Sequence, residues 1–184
     1  MHRRHEDFLS VSHKMQTDAQ GNASMEMACG LAEEVIRTFG EVRLRVFGTS
    51  MVPAMLPGDL VTVRRATMDE ISAGEVVLFA QNGRLFVHRV VSQKAIVPAG
   101  KTEDACLATR GDRLHHEDPP VSSLELLGRV ISLERDNRKI ALEMREPRGT
   151  FARLLRASDR ATYLYVRMFA GWRSLFFRGV KCRV

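Results

Sequence analysis

The chain has 184 residues, 45% of them apolar and 27% charged, which suits one globular domain with terminal extensions and excludes both a disordered chain and one embedded throughout in a membrane. Three cysteines, Cys29, Cys106 and Cys182, stand far apart without a CxxC pair, so neither a disulfide framework nor a zinc knuckle is expected, and a reducing compartment fits. The formal charge of +6 gathers at one end: residues 148–184 carry nine Lys or Arg against one acid, Asp159, a net of +8 that suits an acidic partner such as a membrane surface, nucleic acid or another protein.

Residues 1–22 lack hydrophobic periodicity and end in Asp18-Ala-Gln-Gly-Asn22, the composition of a mobile leader. Their start is basic, but no apolar stretch of signal-peptide length follows, so export by that route is not expected. Over 23–40, Met25, Cys29, Leu31, Ala32, Val35, Ile36 and Phe39 recur at helical spacing and Gly40 supplies a stop, which predicts an amphipathic helix.

Residues 41–146 read as a β-rich domain. Arg43 to Phe47 alternates, Leu60 to Val63 and Val76 to Phe79 are short apolar runs, and Leu85 to Val91 continues in kind. Asn82-Gly83 tolerates the positive φ angles of a tight turn, so 75–80 and 84–92 should pair antiparallel. Further strands are expected at 95–97, 106–109, 127–134 and 139–143, with Asp136-Asn137 turning the last two into a second hairpin. Beyond Pro147, residues 147–184 read as a basic tail of one or two helices. Taken as one helix over 153–178, it would gather Arg153, Arg156, Arg160, Arg167 and Arg178 within roughly 60° of one another, opposite Leu, Tyr and Phe.

The chemistry lies in the middle. Ser50 follows a strand inside a turn punctuated by Gly48, Pro53, Pro57 and Gly58, where its side chain can be presented. A serine hydroxyl is a poor nucleophile at neutral pH and needs a base within hydrogen-bond reach. His88 is that candidate, because an imidazole can take the serine proton and return it to a leaving amine, whereas its neighbour Arg89 stays protonated. A carboxylate is then wanted to fix the imidazole tautomer, and the stretch from Thr109 to Asp118 offers Asp112 and Asp118; either could reach, and spacing does not decide. His115, His116 and Glu117 do not predict a metal site, since adjacent histidines point different ways and no spaced third ligand follows. Ala99-Gly100 reads as a turn.

Four blocks, GTSMVPAMLPGDLVTV, VHRVV, TRGDRLHHED and LLGRVISL, stand in this order across about residues 42–134 and together resemble type I signal peptidases, of the branch with His in place of Lys. The resemblance implies a mostly β, α+β fold shared with the self-cleaving SOS repressors, and a serine endopeptidase that needs no cofactor. It implies Ser50 as nucleophile, His88 as general base, Asp118 as the triad acid and Asp112 as a supporting acid of the same loop, the two exchangeable. Met51, Pro53 and Gly58-Asp59 would be scaffold. Substrates of that family are signal peptides with small residues at the cleavage site, bound as an added strand.

Two departures qualify the resemblance. Gly48 stands where the family commonly has a serine that serves the oxyanion hole, leaving the Ser50 N–H and conceivably Thr49 as donors. The family is also usually anchored by a transmembrane helix; here the nearest stretch, 161–177, is interrupted by Arg167 and Arg173, each costing about 2.5–3.5 kcal/mol at a helix centre. A cytoplasmic or peripherally membrane-associated protein is therefore expected, with the basic helix on an anionic surface or against a protein partner. The alternative function is a catalytically weak or inactive peptide-binding module. A DNA-binding repressor is not expected, because the N-terminal region is too short for a helix-turn-helix domain.

Overall fold

The computed structural model describes residues 26–96, 104–144, 146–147 and 149–176. The expected leader 1–22, the start of the first helix at 23–25, the Ala99-Gly100 turn and the end of the tail at 177–184 lie outside the described residues. Helix α1 (26–39) buries Cys29, Ala32 and Ile36 and half-buries Val35, whereas Leu31 and Phe39, expected at the same helical spacing, are 65% and 76% exposed; Gly40 ends the helix with φ +72°.

Seven antiparallel strands follow: β1 (Glu41–Arg45), β2 (Leu60–Arg65), β3 (Val76–Gln81), β4 (Arg84–Ile96), β5 (Asp104–Arg110), β6 (Leu126–Arg135) and β7 (Arg138–Ile140). They form one sheet in the order β1-β2-β6-β3-β4-β5, with β7 on β6. The fold is thus mostly β, of α+β class, as the sequence predicts. In β3, Val76 to Phe79 are buried on both faces, which is why this strand reads as an unbroken apolar run instead of an alternation. Each such side chain contributes about 1.5–3 kcal/mol on burial. One face of the sheet packs Ile36, Met51, Met55, Val61, Val63, Leu78 and Leu133; the other packs Ile71, Val77, Phe79, Val90, Leu107 and Val121.

Both predicted hairpins form. Asn82 (φ +52°) and Gly83 (φ +69°) close β3–β4, and Asp136 (φ +52°) and Asn137 (φ +60°) close β6–β7. Some bounds differ. The separate strand expected at 95–97 is the end of a thirteen-residue β4 bent by an irregularity between Val90 and Ser92, and Val97 lies outside the described residues. β1 spans 41–45 and not 43–47, because the chain turns away toward Ser50.

The tail is two helices, α2 (Thr150–Ala157) and α3 (Asp159–Phe176), so a single stripe over 153–178 does not exist. The break has a local cause: Ser158 is extended, and its side-chain oxygen accepts from the Ala161 N–H at 3.2 Å, starting a new helix with Asp159 in its first turn. Leu155 on α2 and Tyr165, Val166 and Phe169 on α3 pack on Val52 and Leu56, directly behind the Ser50 turn.

Candidate peptidase site

Three segments meet at the site, each fixed by the fold behind it. Beyond β1 the chain stays extended to Val46, whose N–H donates to the Asp59 carbonyl at 2.8 Å, and then turns at Gly48. Ser50 opens a tight coil closed by Met55 N–H to Met51 C=O at 2.9 Å, with Met51, Val52, Met55 and Leu56 driven into the core. Asp59 pins its far end: its fully buried carboxylate accepts from the Leu56 N–H at 2.8 Å and from Nε and Nη2 of Arg135 at 3.0 and 2.7 Å. Gly58-Asp59 is therefore a clamp on the nucleophile turn, in line with its reading as scaffold.

His88 sits on β4 opposite Val77 of β3, only 4% exposed, with its ring against Phe79 and Phe86 at centroid distances of 6.1 and 5.9 Å. His88 Nε2 is 3.0 Å from Ser50 Oγ, and Nδ1 is 2.7 Å from Asp118 Oδ2. Asp118 accepts a second hydrogen bond from Thr109 Oγ1 at 2.8 Å, while its own N–H donates to the Thr109 carbonyl at 2.8 Å. With Nδ1–H donating to the carboxylate, Nε2 is the lone pair that faces the serine hydroxyl.

Asp112 lies elsewhere. It pairs with Arg89 through two parallel bonds, Nε to Oδ1 at 2.8 Å and Nη2 to Oδ2 at 2.9 Å. Arg89 Nη1 donates further to the carbonyls of Gly74 and Glu143 at 2.8 and 2.7 Å. Both residues are buried, Arg89 at 2% and Asp112 at 4% exposure. Strand alternation explains the division: successive residues of β4 point to opposite faces, so His88 and Arg89 each take one aspartate. Of the four predicted site residues, the structure brings Ser50, His88 and Asp118 into one file and sets Asp112 behind it.

The loop 111–114 holds the nucleophile from the other side. Arg113 N–H donates to the Ser50 carbonyl at 2.8 Å, and Arg113 Nη2 donates to Thr49 Oγ1 at 3.3 Å, a bond in which the Thr49 hydroxyl accepts and its own O–H remains a donor. Gly111 passes so close that a Cβ there would stand 2.8 Å from the Ser50 oxygen and 3.0 Å from its Cβ. Gly111→Ala should therefore displace Ser50 from His88 and lower turnover by about 10²-fold or more while the fold survives, read by steady-state kinetics beside thermal melting. Gly48 adopts φ +88°, a conformation that strains a residue with a side chain, so a serine is not simply exchanged into this backbone.

Behind the loop, Glu146 pairs with Arg110 and lies 3.7 Å from Arg156. Burial pushes the Glu146 carboxyl up, but Arg110 together with Arg156 and Arg89 holds it below the ordinary glutamate range. Its stabilising share is present above the unfolded-state pKa and is lost as pH falls through the lowered folded value. Thr109 and Arg89, which hold the two aspartates, both stand within the matched blocks, but no spacing in the sequence assigns them a partner.

A groove of about 720 Å³ ends at this file. Leu44, Val46 and Phe47 line one wall and Leu85, Phe86 and Val87 the other, with Met51 and Leu78 among the other lining residues. Among the described residues β1 pairs with β2 alone and β4 meets β5 only from Arg89 onward, so within them 41–45 and 84–88 each present an unpaired strand edge.

Fold and geometry together define a peptidase-fold protein with a Ser-His-Asp hydrogen-bond file. Residues 11–97, just under half of the chain, match the family model Peptidase S24-like. The match agrees with the resemblance to the signal peptidases and SOS repressors, which share that superfamily. Among curated proteins none matches the chain. Among the described residues no helix is long and apolar enough to cross a membrane.

Proposed function

We propose that the protein is a serine endopeptidase that cleaves a leader or signal segment from an extended substrate. The observation that carries this reading is the file from Ser50 Oγ through His88 to Asp118, with bonds of 3.0 and 2.7 Å, at the end of an apolar groove. A substrate strand pairing with the free edges at 41–45 and 84–88 would hold its backbone by ladder hydrogen bonds and its side chains in apolar pockets. His88 takes the Ser50 proton as Oγ attacks the scissile carbonyl, and Asp118 stabilises the imidazolium that forms. The imidazolium passes its proton to the leaving amine, and water then releases the acyl group from Ser50 with His88 again as base.

The test is incubation of wild type, Ser50→Ala and His88→Ala with leader-like peptides carrying small residues at the cleavage site, with products read by mass spectrometry across a pH series. Each substitution should lower cleavage by at least about 10⁴-fold. Equal traces of cleavage from all three proteins would end the catalytic reading for these peptides.

A second reading, a peptide-binding module with weak or no catalysis, draws on Gly48, which has no side chain to supply a second oxyanion donor. It predicts that Ser50→Ala binds the same peptides as wild type does, with no cleavage by either.

A further inference from the structure

α3 has an outer face that no other described residue covers. Tyr165, Val166 and Phe169 turn inward toward the Ser50 turn, as described above, and the opposite side carries Tyr163, Leu164 and Met168 at 61%, 66% and 67% exposure. Arg160 and Arg167 stand among them, both exposed. Arg167 Nη1 donates to Tyr163 Oη at 3.0 Å, and its guanidinium lies 5.9 Å from that ring's centre. The face is therefore neither the solvated basic stripe nor the apolar core stripe of a buried helix; it interleaves large apolar groups with arginines.

We propose that this outer face of α3 docks on the surface of an anionic lipid bilayer. Charge selects that occupant. Residues 148–184 contain nine Lys or Arg and one acid, Asp159, whose carboxylate accepts from Arg113 Nη1 at 2.5 Å. Arginine stems can lie along the acyl boundary with their heads among phosphates while Leu164, Met168 and the Tyr163 ring enter below them. A second copy of the chain fits poorly, since two such faces would set arginine against arginine. No spanning helix is needed, and because α3 is packed on Val52 and Leu56, docking would carry the Ser50 turn to the membrane as one body.

The experiment uses the full chain with vesicles of phosphatidylcholine alone and of phosphatidylcholine mixed with phosphatidylglycerol, measured by co-sedimentation. Wild type should sediment with the anionic vesicles and not the neutral ones, with a loss of binding at high salt. Arg160→Gln and Arg167→Gln should each weaken partitioning about fivefold, and Leu164→Asp with Met168→Asp should abolish it while circular dichroism stays that of wild type. Wild type left in the supernatant with both vesicles would overturn the proposal, as would undiminished binding by all the variants. So would a vesicle-independent dimer that the double aspartate variant dissolves. Nothing in the docking requires Ser50 to be a nucleophile, so this assay and peptide cleavage succeed or fail separately.

Discussion

Asp118→Asn should leave a folded protein that has lost about four orders of magnitude in turnover. The amide keeps the size of the carboxylate, but Thr109 Oγ1 and His88 Nδ1 share the one oxygen Oδ2, so the Thr109 bond survives only while the amide oxygen stays there. What disappears is the negative charge 2.7 Å from His88 Nδ1, which fixes the imidazole with Nδ1–H inward and steadies the imidazolium. An amide can equally present its NH₂ to Nδ1, and the proton then moves to Nε2, where it blocks the lone pair that must accept from Ser50. Because Asp118 is at the groove and partly exposed, stability should change by only about 1 kcal/mol. Single-turnover kinetics beside a thermal melt separates the two effects.

Asp112→Asn should do the reverse. Removing its charge leaves the Arg89 guanidinium at 2% exposure without its counter-ion, and breaking a buried pair from one side costs about 3–5 kcal/mol. For a chain of this size that lowers the melting temperature by roughly 10 °C or more. Arg89→Met combined with Asp112→Leu should recover much of the loss, because it removes both charges instead of orphaning one. Turnover measured well below the melting point should fall far less than in Asp118→Asn, since Asp112 touches neither His88 nor Ser50 through its side chain. A melt that barely moves would mean that the Arg89–Asp112 pair is not the bolt of this loop.

These two aspartates mark where the sequence stops being legible. Ser50 and His88 can be read from local chemistry, a punctuated turn and a strand histidine, and both sit where the blocks put them. A separation of six positions between Asp112 and Asp118 carries no information about which one a histidine meets. The answer comes from the side alternation of β4, where His88 and Arg89 face opposite ways, and from the path by which Thr109 and Asp118 bond to each other across the loop. The hairpins were legible because Asn82-Gly83 and Asp136-Asn137 act through their own backbones. The break at Ser158 was equally local, a Ser-Asp helix start hidden by the strong helical pattern on either side. Contacts between distant segments were not legible: the Arg135 clamp on Asp59, the seat of Leu155 behind Ser50, and the groove wall shared by β1 and β4 all depend on packing that periodicity does not encode.

The measurement that bears most directly on the central claim is intact-mass analysis after acid quench of the protein mixed with an activated ester of a peptide ending in alanine. Wild type should gain the mass of the acyl group, mapped to Ser50; Ser50→Ala should gain none, and His88→Ala should acylate at least about 10³-fold more slowly. An adduct absent from wild type, located on another residue, or formed equally fast without His88 would contradict a Ser50–His88–Asp118 peptidase.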